Sequence, residues 1–254
     1  MTPAVDWDAG TSDRVADPHE EWGRRVLDRL ELAGDETVLD AGCGTGRITA
    51  LLLERLPRGR VIGVDSAPSM IERAERTIGA DPRVELRLGD LLELELDEQV
   101  DAIFSTAAFH WILQHELLFT RLFAALRPGG RLEAQCGGEG NIAEIQRVLD
   151  ALSGDERFSA YLRPEERAWF YASIGDTQLR LRRVGFEVGR VTLEPWPVTP
   201  REPRAFLATV ILPWHLDRLP PELREEFVTA VLAGMPGPLT VRYVRLNISA
   251  RRPA

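Results

Sequence analysis

The stretch that decides the fold runs from Val38 to Gly46 and reads VLDAGCGTG. Its apolar start is typical of a buried strand, and a helical pattern begins at Ile48. Glycines between a strand and a helix let the backbone turn tightly and approach a ligand closely, and the helix N-terminus offers free N–H groups to polar atoms. The stretch therefore predicts a ligand-binding loop at the edge of an α/β sheet.

Around this loop, short apolar runs alternate with helical periodicity between Glu36 and Cys136. This spacing is typical of βαβ units in a parallel sheet that is covered on both faces. The predicted fold class is therefore α/β, doubly wound and Rossmann-like. Strands are predicted over 37–39, 60–64, 84–88, 100–105 and 131–135, and helices over 48–56, 68–78 and 116–126.

The regularity weakens after Cys136, and an amphipathic helix from Val15 to Leu30 precedes the sheet. In the C-terminal half, helices are predicted over 142–152, 164–174, 177–184 and 221–232, and strands over 186–193 and 239–248. The prolines that are expected to break the chain after the first of these strands are Pro195, Pro197, Pro200 and Pro203.

Composition excludes some classes of function. The 254 residues carry a net charge of −9, and all 31 basic residues are arginine. Without lysine, Schiff-base chemistry on this chain is excluded. The densest basic run, Arg180 to Arg183, is typical of a solvated helix face, so we expect no nucleic-acid partner, with acidic tRNA-modifying proteins as the open exception. No apolar run reaches roughly 18 residues, so we expect no membrane partner and a cytoplasmic location.

The chain has two cysteines, Cys43 and Cys136, which lie far apart in sequence. Two cysteines make neither a disulfide framework nor a zinc site, and two reduced thiols are expected. The histidines and acidic residues lack ligand spacing, so we expect no metal.

Two acidic residues follow the next strands. Asp65 ends the second strand, and Asp90 comes directly after the third. A carboxylate at the first position can accept both hydroxyls of a ribose, and one at the second can accept an adenine amino group. Each could instead cap the end of its strand, but the two together favour a nucleotide site.

Residues 36–136 resemble the class I S-adenosylmethionine (SAM)-dependent methyltransferases. Four motifs match in order: the glycine loop, Asp65, Asp90 and the turn LRPGGRL over 126–132. The resemblance implies a seven-stranded sheet with a reversed last strand, SAM as the cofactor, and an enzyme that methylates a small molecule. It implies that the cofactor-binding residues are Asp40, Ala41, Gly42, Gly44, Gly46, Asp65, Ser66, Asp90, Leu91, Thr106 and Ala107.

The stretch STAAFHWI over 105–112 is similar to the trans-aconitate methyltransferase-like group, which acts on small molecules. In that group the loop after the fourth strand faces cofactor and substrate, which implies substrate contacts for His110 and Trp111. The segment from Val5 to Asp8 resembles the family's aromatic lid and implies a substrate contact for Trp7. Ser12 stands where relatives often carry a tyrosine.

His110 is the candidate catalytic base, because histidine titrates near neutral pH; packing beside Trp111 is the alternative. A carboxylate acceptor needs no base, but it needs an arginine to hold it. His115 is expected on the surface. The candidate arginines in the insertions are Arg157, Arg163, Arg167, Arg201 and Arg204.

The expected organisation is one methyltransferase domain over 1–254, with helical cap insertions. It has N-terminal lid helices over 1–35, a SAM-binding core over 36–136, and substrate-side insertions over 137–185 and 196–236.

Two other functions remain open. A SAM-binding protein without catalysis would carry the same loop. A NAD-dependent oxidoreductase would share Asp65 but usually has a third glycine where this chain has Arg47. The sequence does not determine the acceptor, the methylated atom (O, C or N) or the oligomeric state.

Overall fold

The computed structural model describes residues 17–163 and 166–254. Its centre is a single mixed β-sheet of seven strands. The strands are β1 (Thr37–Ala41), β2 (Arg60–Asp65), β3 (Val84–Leu88), β4 (Val100–Thr106), β5 (Leu126–Gly137), β6 (Glu187–Val198) and β7 (Val241–Arg251).

The order of the strands across the sheet is β3-β2-β1-β4-β5-β7-β6. Strands β1 to β5 run parallel to one another, whereas β7 runs antiparallel to both β5 and β6. The chain reverses its direction of winding between β1 and β4, and this opens a crevice at the carboxyl ends of the strands. The predicted doubly wound α/β sheet with a reversed last strand is confirmed.

Helices cover both faces of the sheet. They are α1 (Asp17–Leu27), α2 (Arg47–Glu54), α3 (Pro68–Ile78), α4 (His115–Ala125), α5 (Ala143–Ser153), α6 (Ile174–Val184), α7 (Pro203–Phe206), α8 (Pro213–Arg218) and α9 (Pro221–Gly234). Short 3-10 turns span Leu91–Glu93 and Phe109–Trp111, and a π turn spans Leu207–Ile211.

The core follows from the alternation of side chains along each strand. In β1, Val38 packs with apolar residues of α1 and α2, while its neighbour Leu39 packs with residues of α4 and α6 on the other face. A third apolar cluster, which includes Phe158, Phe206 and Phe227, lies in the segments between β5 and β7. These helical insertions cap the crevice. Within the described residues, no helix is long and apolar enough to cross a membrane.

The helix predicted over 164–174 is wrong for its described part, 166–173, which is not helical. Instead, Phe170 donates its backbone N–H to the carbonyl of His110 at 2.9 Å, and Ala172 accepts the N–H of Glu139 at 3.0 Å. The backbone hydrogen bonds of this segment therefore go to neighbouring chain segments, and these tertiary bonds override the local helical pattern.

The prolines after the sixth strand do not end it where expected. Strand β6 continues to Val198, and Pro195 and Pro197 are paired in register with Val244 and Arg242 of β7. Proline has no N–H to donate, so it is tolerated only where that position needs no partner. Strand β6 lies at the edge of the sheet, where its outward backbone positions have none.

Candidate active site

A cavity of about 920 Å³ lies at the carboxyl ends of the parallel strands. The glycine loop, the ends of β2 to β4 and the helical insertions surround it. Ala41 and Gly46 lie outside its lining, and Trp7 lies outside the described residues. The predicted site residues that line the cavity are Asp40, Gly42, Gly44, Asp65, Ser66, Asp90, Leu91, Thr106, Ala107, His110 and Trp111.

The glycine loop has the conformation that its glycines predict. Gly42 has φ +85°, and a Cβ atom there would lie 2.3 Å from the Cβ of Ala108. Gly44 has φ +54°, and a Cβ atom there would meet no atom within 4 Å. Gly42 is therefore required by the close approach of the loop to Ala108 in the segment after β4, whereas Gly44 keeps a part of the cavity open.

Asp40 is almost completely buried at the end of β1. Its Oδ2 accepts a hydrogen bond from the hydroxyl of Thr49 at 2.7 Å, but its Oδ1 has no partner among the described residues. Burial raises the pKa of Asp40 to about 7; the Thr49 bond opposes this shift and the charge of Asp65 adds to it. Asp40 therefore offers one desolvated oxygen to a cation or a hydrogen-bond donor in the cavity.

Asp65 accepts the backbone N–H groups of Gly44 at 2.9 Å and Ala67 at 3.0 Å. Burial raises the pKa of Asp65, and these bonds oppose the shift. Asp90 accepts the N–H of Leu92 at 2.9 Å. Asp65 thereby ties β2 to the glycine loop, and Asp90 caps the short turn that follows β3. Because a carboxylate has about four acceptor sites, each retains capacity for a ligand in the cavity that it lines.

The end of β4 links the loop to the rest of the site. Ser105 donates its hydroxyl to the carbonyl of Ala41 at 2.6 Å, and Ala107, at φ +57°, donates its N–H to the carbonyl of Gln135 at 2.8 Å. The hydroxyl of Thr106 is buried and has no partner among the described residues. Since Thr106 lines the cavity, this hydroxyl is a further polar group for a ligand.

His110 is held by two backbone hydrogen bonds. Its Nδ1 accepts the N–H of Gly137 at 3.3 Å, and its carbonyl accepts the N–H of Phe170 at 2.9 Å. Because Nδ1 is an acceptor, the neutral ring carries its proton on Nε2. The side chain is thereby arranged to donate a hydrogen bond from Nε2, and it has no basic lone pair left for a substrate.

His115 is buried, and the expectation of a surface position is wrong. Its Nε2 lies 2.9 Å from the carbonyl of Phe109, to which it donates, and its ring packs edge-on against Phe170 with centroids 4.8 Å apart. Burial lowers the pKa of His115 to about 4, so it is neutral and structural at neutral pH.

The cavity contains a cation that sequence reasoning missed. Arg245 of β7 is 1% exposed and lines the cavity. Its Nε donates to Oε1 of Gln135 at 3.3 Å, and its Nη2 has no partner among the described residues. No carboxylate of the described chain forms an ion pair with it, and burial lowers its pKa to about 10. A buried arginine without an acid is costly, which indicates a role with an anionic ligand.

The arginines proposed from the sequence lie elsewhere. All five are in the described part of the chain, and none of them lines the cavity. Arg157 pairs with Asp155 at 2.6 Å and with Glu226 at 2.7 Å. Arg204 pairs with Glu225 at 3.2 Å. Arg245 could have been suspected only as a charge among the apolar residues of the last predicted strand.

Aromatic rings form part of the cavity lining. We call His110, Trp111, Trp169 and Tyr171 the aromatic wall. The rings of His110 and Tyr171 are 5.9 Å apart at 28°, and those of Trp169 and Tyr171 are 5.9 Å apart at 13°. Trp111 and Trp169 are 5.7 Å apart. Among the described residues, no group of three His, Cys, Asp or Glu side chains could hold a metal ion.

Known methyltransferases resemble this chain in sequence and in fold. Residues 38–130 match a family described as a methyltransferase domain. A trans-aconitate 2-methyltransferase of Azoarcus sp. (strain BH72) is 40% identical over 129 residues, which cover 51% of this chain and 50% of that protein. The chain spans between 50% and 60% of the length of this and three further trans-aconitate 2-methyltransferases that it matches.

Two other similarities extend further along the chain. An uncharacterized methyltransferase of Schizosaccharomyces pombe is 31% identical over 192 residues, which cover 72% of this chain and 71% of that protein. The structure of Haemonchus contortus phosphoethanolamine N-methyltransferase 2, in complex with phosphomonomethylethanolamine and S-adenosylhomocysteine, covers 92% of this chain and 53% of that one, with a TM-score of 0.60 and 18% identity. The last likeness concerns the fold alone. With the fold, the glycine loop and these relatives, the chain belongs to the class I SAM-dependent methyltransferases.

Proposed function

We propose that this protein transfers a methyl group from SAM to a carboxylate oxygen of a small acid that Arg245 holds. The observation that carries the proposal is the buried Arg245 guanidinium, which lines the cavity and has no acidic partner in the described chain. A guanidinium N–H donates a strong, charge-assisted hydrogen bond to a carboxylate oxygen, and Nη2 of Arg245 is without a partner among the described residues. The names of the trans-aconitate relatives agree with an acid as the acceptor.

The other half of the cavity fits the cofactor. The free Oδ1 of Asp40 suits the ammonium group of the methionine part, because a cation there relieves a desolvated carboxylate. Asp65 lies where it can accept the ribose hydroxyls, and Asp90 and Leu91 lie after β3, where the adenine is expected. Gly42 and the open space at Gly44 complete the cofactor residues that we propose.

The protein contributes to the reaction mainly by positioning the acceptor next to the methyl group of SAM. When bound, SAM supplies a methyl group on a sulfonium, which a nucleophile takes by in-line displacement. A carboxylate oxygen forms the new C–O bond while the C–S bond breaks, and the electron pair of that bond goes to sulfur, so no proton moves. The task of Arg245 is to hold one oxygen of the acid and orient the other.

The hydrogen bond that Nδ1 of His110 accepts from Gly137 favours a carboxylate over a hydroxyl or carbon acceptor. Those acceptors must lose a proton, and a general base needs a free lone pair within reach. Nδ1 of His110 is occupied by the Gly137 N–H, and Nε2 carries the proton. We therefore assign His110, with Trp111, to substrate contact and not to proton removal, which revises the catalytic role that the sequence suggested.

The test measures SAM binding by calorimetry, and the formation of S-adenosylhomocysteine and methyl ester with a panel of carboxylic acids. Asp65→Ala is expected to lose most of its SAM affinity. Arg245→Gln is expected to keep SAM affinity and to lose at least a hundredfold in kcat/KM for acids. The matched control is Arg242→Gln on the same strand, which removes an exposed arginine paired with Glu144 and is expected to leave both properties unchanged. SAM binding without methylation of any acid would overturn the proposal.

A further inference from the structure

The charges around the cavity limit how many carboxylates an acceptor can carry. Three arginines of the described chain line it, and two of them already face acids. Arg47 pairs with Glu20 at 2.8 Å. Arg121 lies 3.7 Å from Glu95 and donates its Nε to the carbonyl of Leu92 at 3.0 Å. Arg245 is therefore the one cavity arginine in the described chain without an acid.

Carboxylates are more numerous along the same lining. The five described there are Glu20, Asp40, Asp65, Asp90 and Glu93. Three of them, Asp40, Asp65 and Asp90, belong to the part of the cavity that we propose for the cofactor, and Glu20 already pairs with Arg47. A second or third carboxylate on the acceptor would therefore find no further cation without an acid among the described residues of the cavity.

The surface beside Arg245 is aromatic and apolar. Tyr171 belongs to the aromatic wall, and its ring lies against Gly137, where a Cβ atom would come within 2.6 Å of the ring; Gly137 is paired in register with Arg245. An acceptor whose carboxylate contacts Arg245 would therefore have the rest of its molecule beside the aromatic wall. Beyond it the cavity is lined by apolar residues of the insertions: Ile142, Ala168, Val210, Ile211 and Trp214.

The rings of the wall pack against one another and present a continuous aromatic surface to the cavity. Centroids of neighbouring rings are 5.3–5.9 Å apart, and the rings of Trp169 and Tyr171 are within 13° of parallel. Aromatic groups at such separations attract a further ring by offset or edge-on contact. A linear polar acid would leave this surface in contact with water.

We infer that the acceptor is a monocarboxylic acid with an aromatic or otherwise flat apolar body, whose carboxylate meets Arg245 while its body lies on the aromatic wall. The inference rests on the proposed function and sharpens it, because it separates this chain from relatives that are named for a tricarboxylic acid. It follows from the single cavity arginine without an acid among the described residues, and from the position of the Tyr171 ring against Gly137, the strand partner of Arg245.

The experiment compares kcat/KM of the wild-type protein for three matched probes: an arylpropanoic acid, the linear octanoic acid and trans-aconitic acid. We expect the aryl acid to exceed trans-aconitic acid by at least a hundredfold and octanoic acid by about tenfold. Trp169→Leu is expected to raise KM for the aryl acid about tenfold and to change KM for octanoic acid by less than threefold. Tyr161→Leu removes an exposed ring outside the cavity lining and serves as the control.

The outcomes separate the two proposals. Equal or better methylation of trans-aconitic acid would overturn the monocarboxylate inference and leave methyl transfer to acids standing. Methylation of neutral acceptors, with all three acids inert, would overturn the proposed function and this inference together. If Trp169→Leu fails to fold, as thermal unfolding and SAM binding would reveal, the order of the three wild-type probes decides the matter.

Discussion

The guanidinium carbon of Arg245 lies 4.0 Å from the centre of the Trp22 ring. This contact joins the last strand to helix α1 behind the cavity, and Gln135 fixes the other side of the guanidinium through its Oε1. Gln135 in turn donates its Nε2 to Oδ1 of Asn247 at 3.0 Å. The cation is therefore held by an aromatic face and a neutral hydrogen-bonded network, and it keeps its charge available for a ligand.

Arg245→Met is expected to stabilise the protein in the absence of ligands. Burial lowers the pKa of Arg245 to about 10, so the charged side chain destabilises the folded state relative to the unfolded state at neutral pH. Replacing a buried unpaired charge by an apolar side chain of similar length should raise the free energy of unfolding by about 1–3 kcal/mol. Urea unfolding at pH 7 measures this.

Arg242→Met is the control for that measurement, because its side chain is exposed, and a change within about 0.5 kcal/mol is expected. A loss of stability in Arg245→Met greater than in the control would mean that the contacts with Trp22 and Gln135 outweigh the cost of burial. Arg245 would then be a structural residue.

The pKa of Asp40 predicts how stability depends on pH. Burial raises it to about 7 from 3.8, so between about pH 4 and pH 7 the folded state holds a proton that the unfolded state releases. The carboxylate therefore costs stability increasingly as pH rises through this window, by at most about 1.4 kcal/mol per pH unit, and the cost is constant above it. Asp40→Asn cannot titrate and should escape this cost.

The measurement is the difference in unfolding free energy between Asp40→Asn and the wild type from pH 4.5 to 8. It should grow in favour of the variant up to about pH 7 and then level off. His115 and His215, whose pKa values burial lowers to about 4 and about 3, titrate alike in both proteins and cancel in the difference. A difference that does not vary with pH would contradict the raised pKa of Asp40.

The cofactor half of the cavity could be predicted from the sequence because its determinants are local. The glycine loop follows its strand directly, and Asp65 and Asp90 stand at the ends of strands with clear apolar patterns. Parallel strands bring their carboxyl ends to one edge of the sheet, so sequence order alone brings these residues together. Ala41 and Gly46 were included with the loop, but they serve the sheet and the helix and lie outside the cavity lining.

The substrate half depends on pairing between distant segments. Arg245 reaches the cavity because β7 inserts between β5 and β6 and pairs it with Gly137, more than a hundred residues away. The segment that carries Trp169 and Tyr171 is extended because its backbone bonds to the neighbourhood of His110, which local helical periodicity cannot reveal. Local sequence periodicity indicates the helical preference of a segment, but it does not indicate the distant backbone groups whose hydrogen bonds override that preference.

The two cysteines are expected to be unreactive in the folded protein. Burial raises the pKa of Cys136 to about 12 and that of Cys43 well above its usual value, and the thiolate is the reactive form. A disulfide reagent at pH 8 should modify neither thiol within minutes in native buffer and both at once in denaturant. Because Cys43 lines the cavity and Cys136 does not, SAM should slow the residual reaction of Cys43 alone. Fast labelling of Cys136 in native buffer would contradict its burial.

Two glycine substitutions should separate folding from ligand binding. In Gly42→Ala, the new Cβ would lie 2.3 Å from the Cβ of Ala108, at a φ of +85°. The collision adds to the backbone strain, so a loss of at least about 2 kcal/mol is expected. In Gly44→Ala, φ is +54° and the new Cβ meets nothing within 4 Å, so only about 1 kcal/mol of strain is expected. That methyl group would instead occupy space in the cavity where we propose the cofactor.

Thermal unfolding and calorimetric titration with SAM measure the two effects separately. Gly42→Ala should be the less stable of the two variants, and Gly44→Ala should fold but bind SAM at least tenfold more weakly than the wild type. Unchanged SAM affinity in a folded Gly44→Ala would remove this loop from the cofactor site.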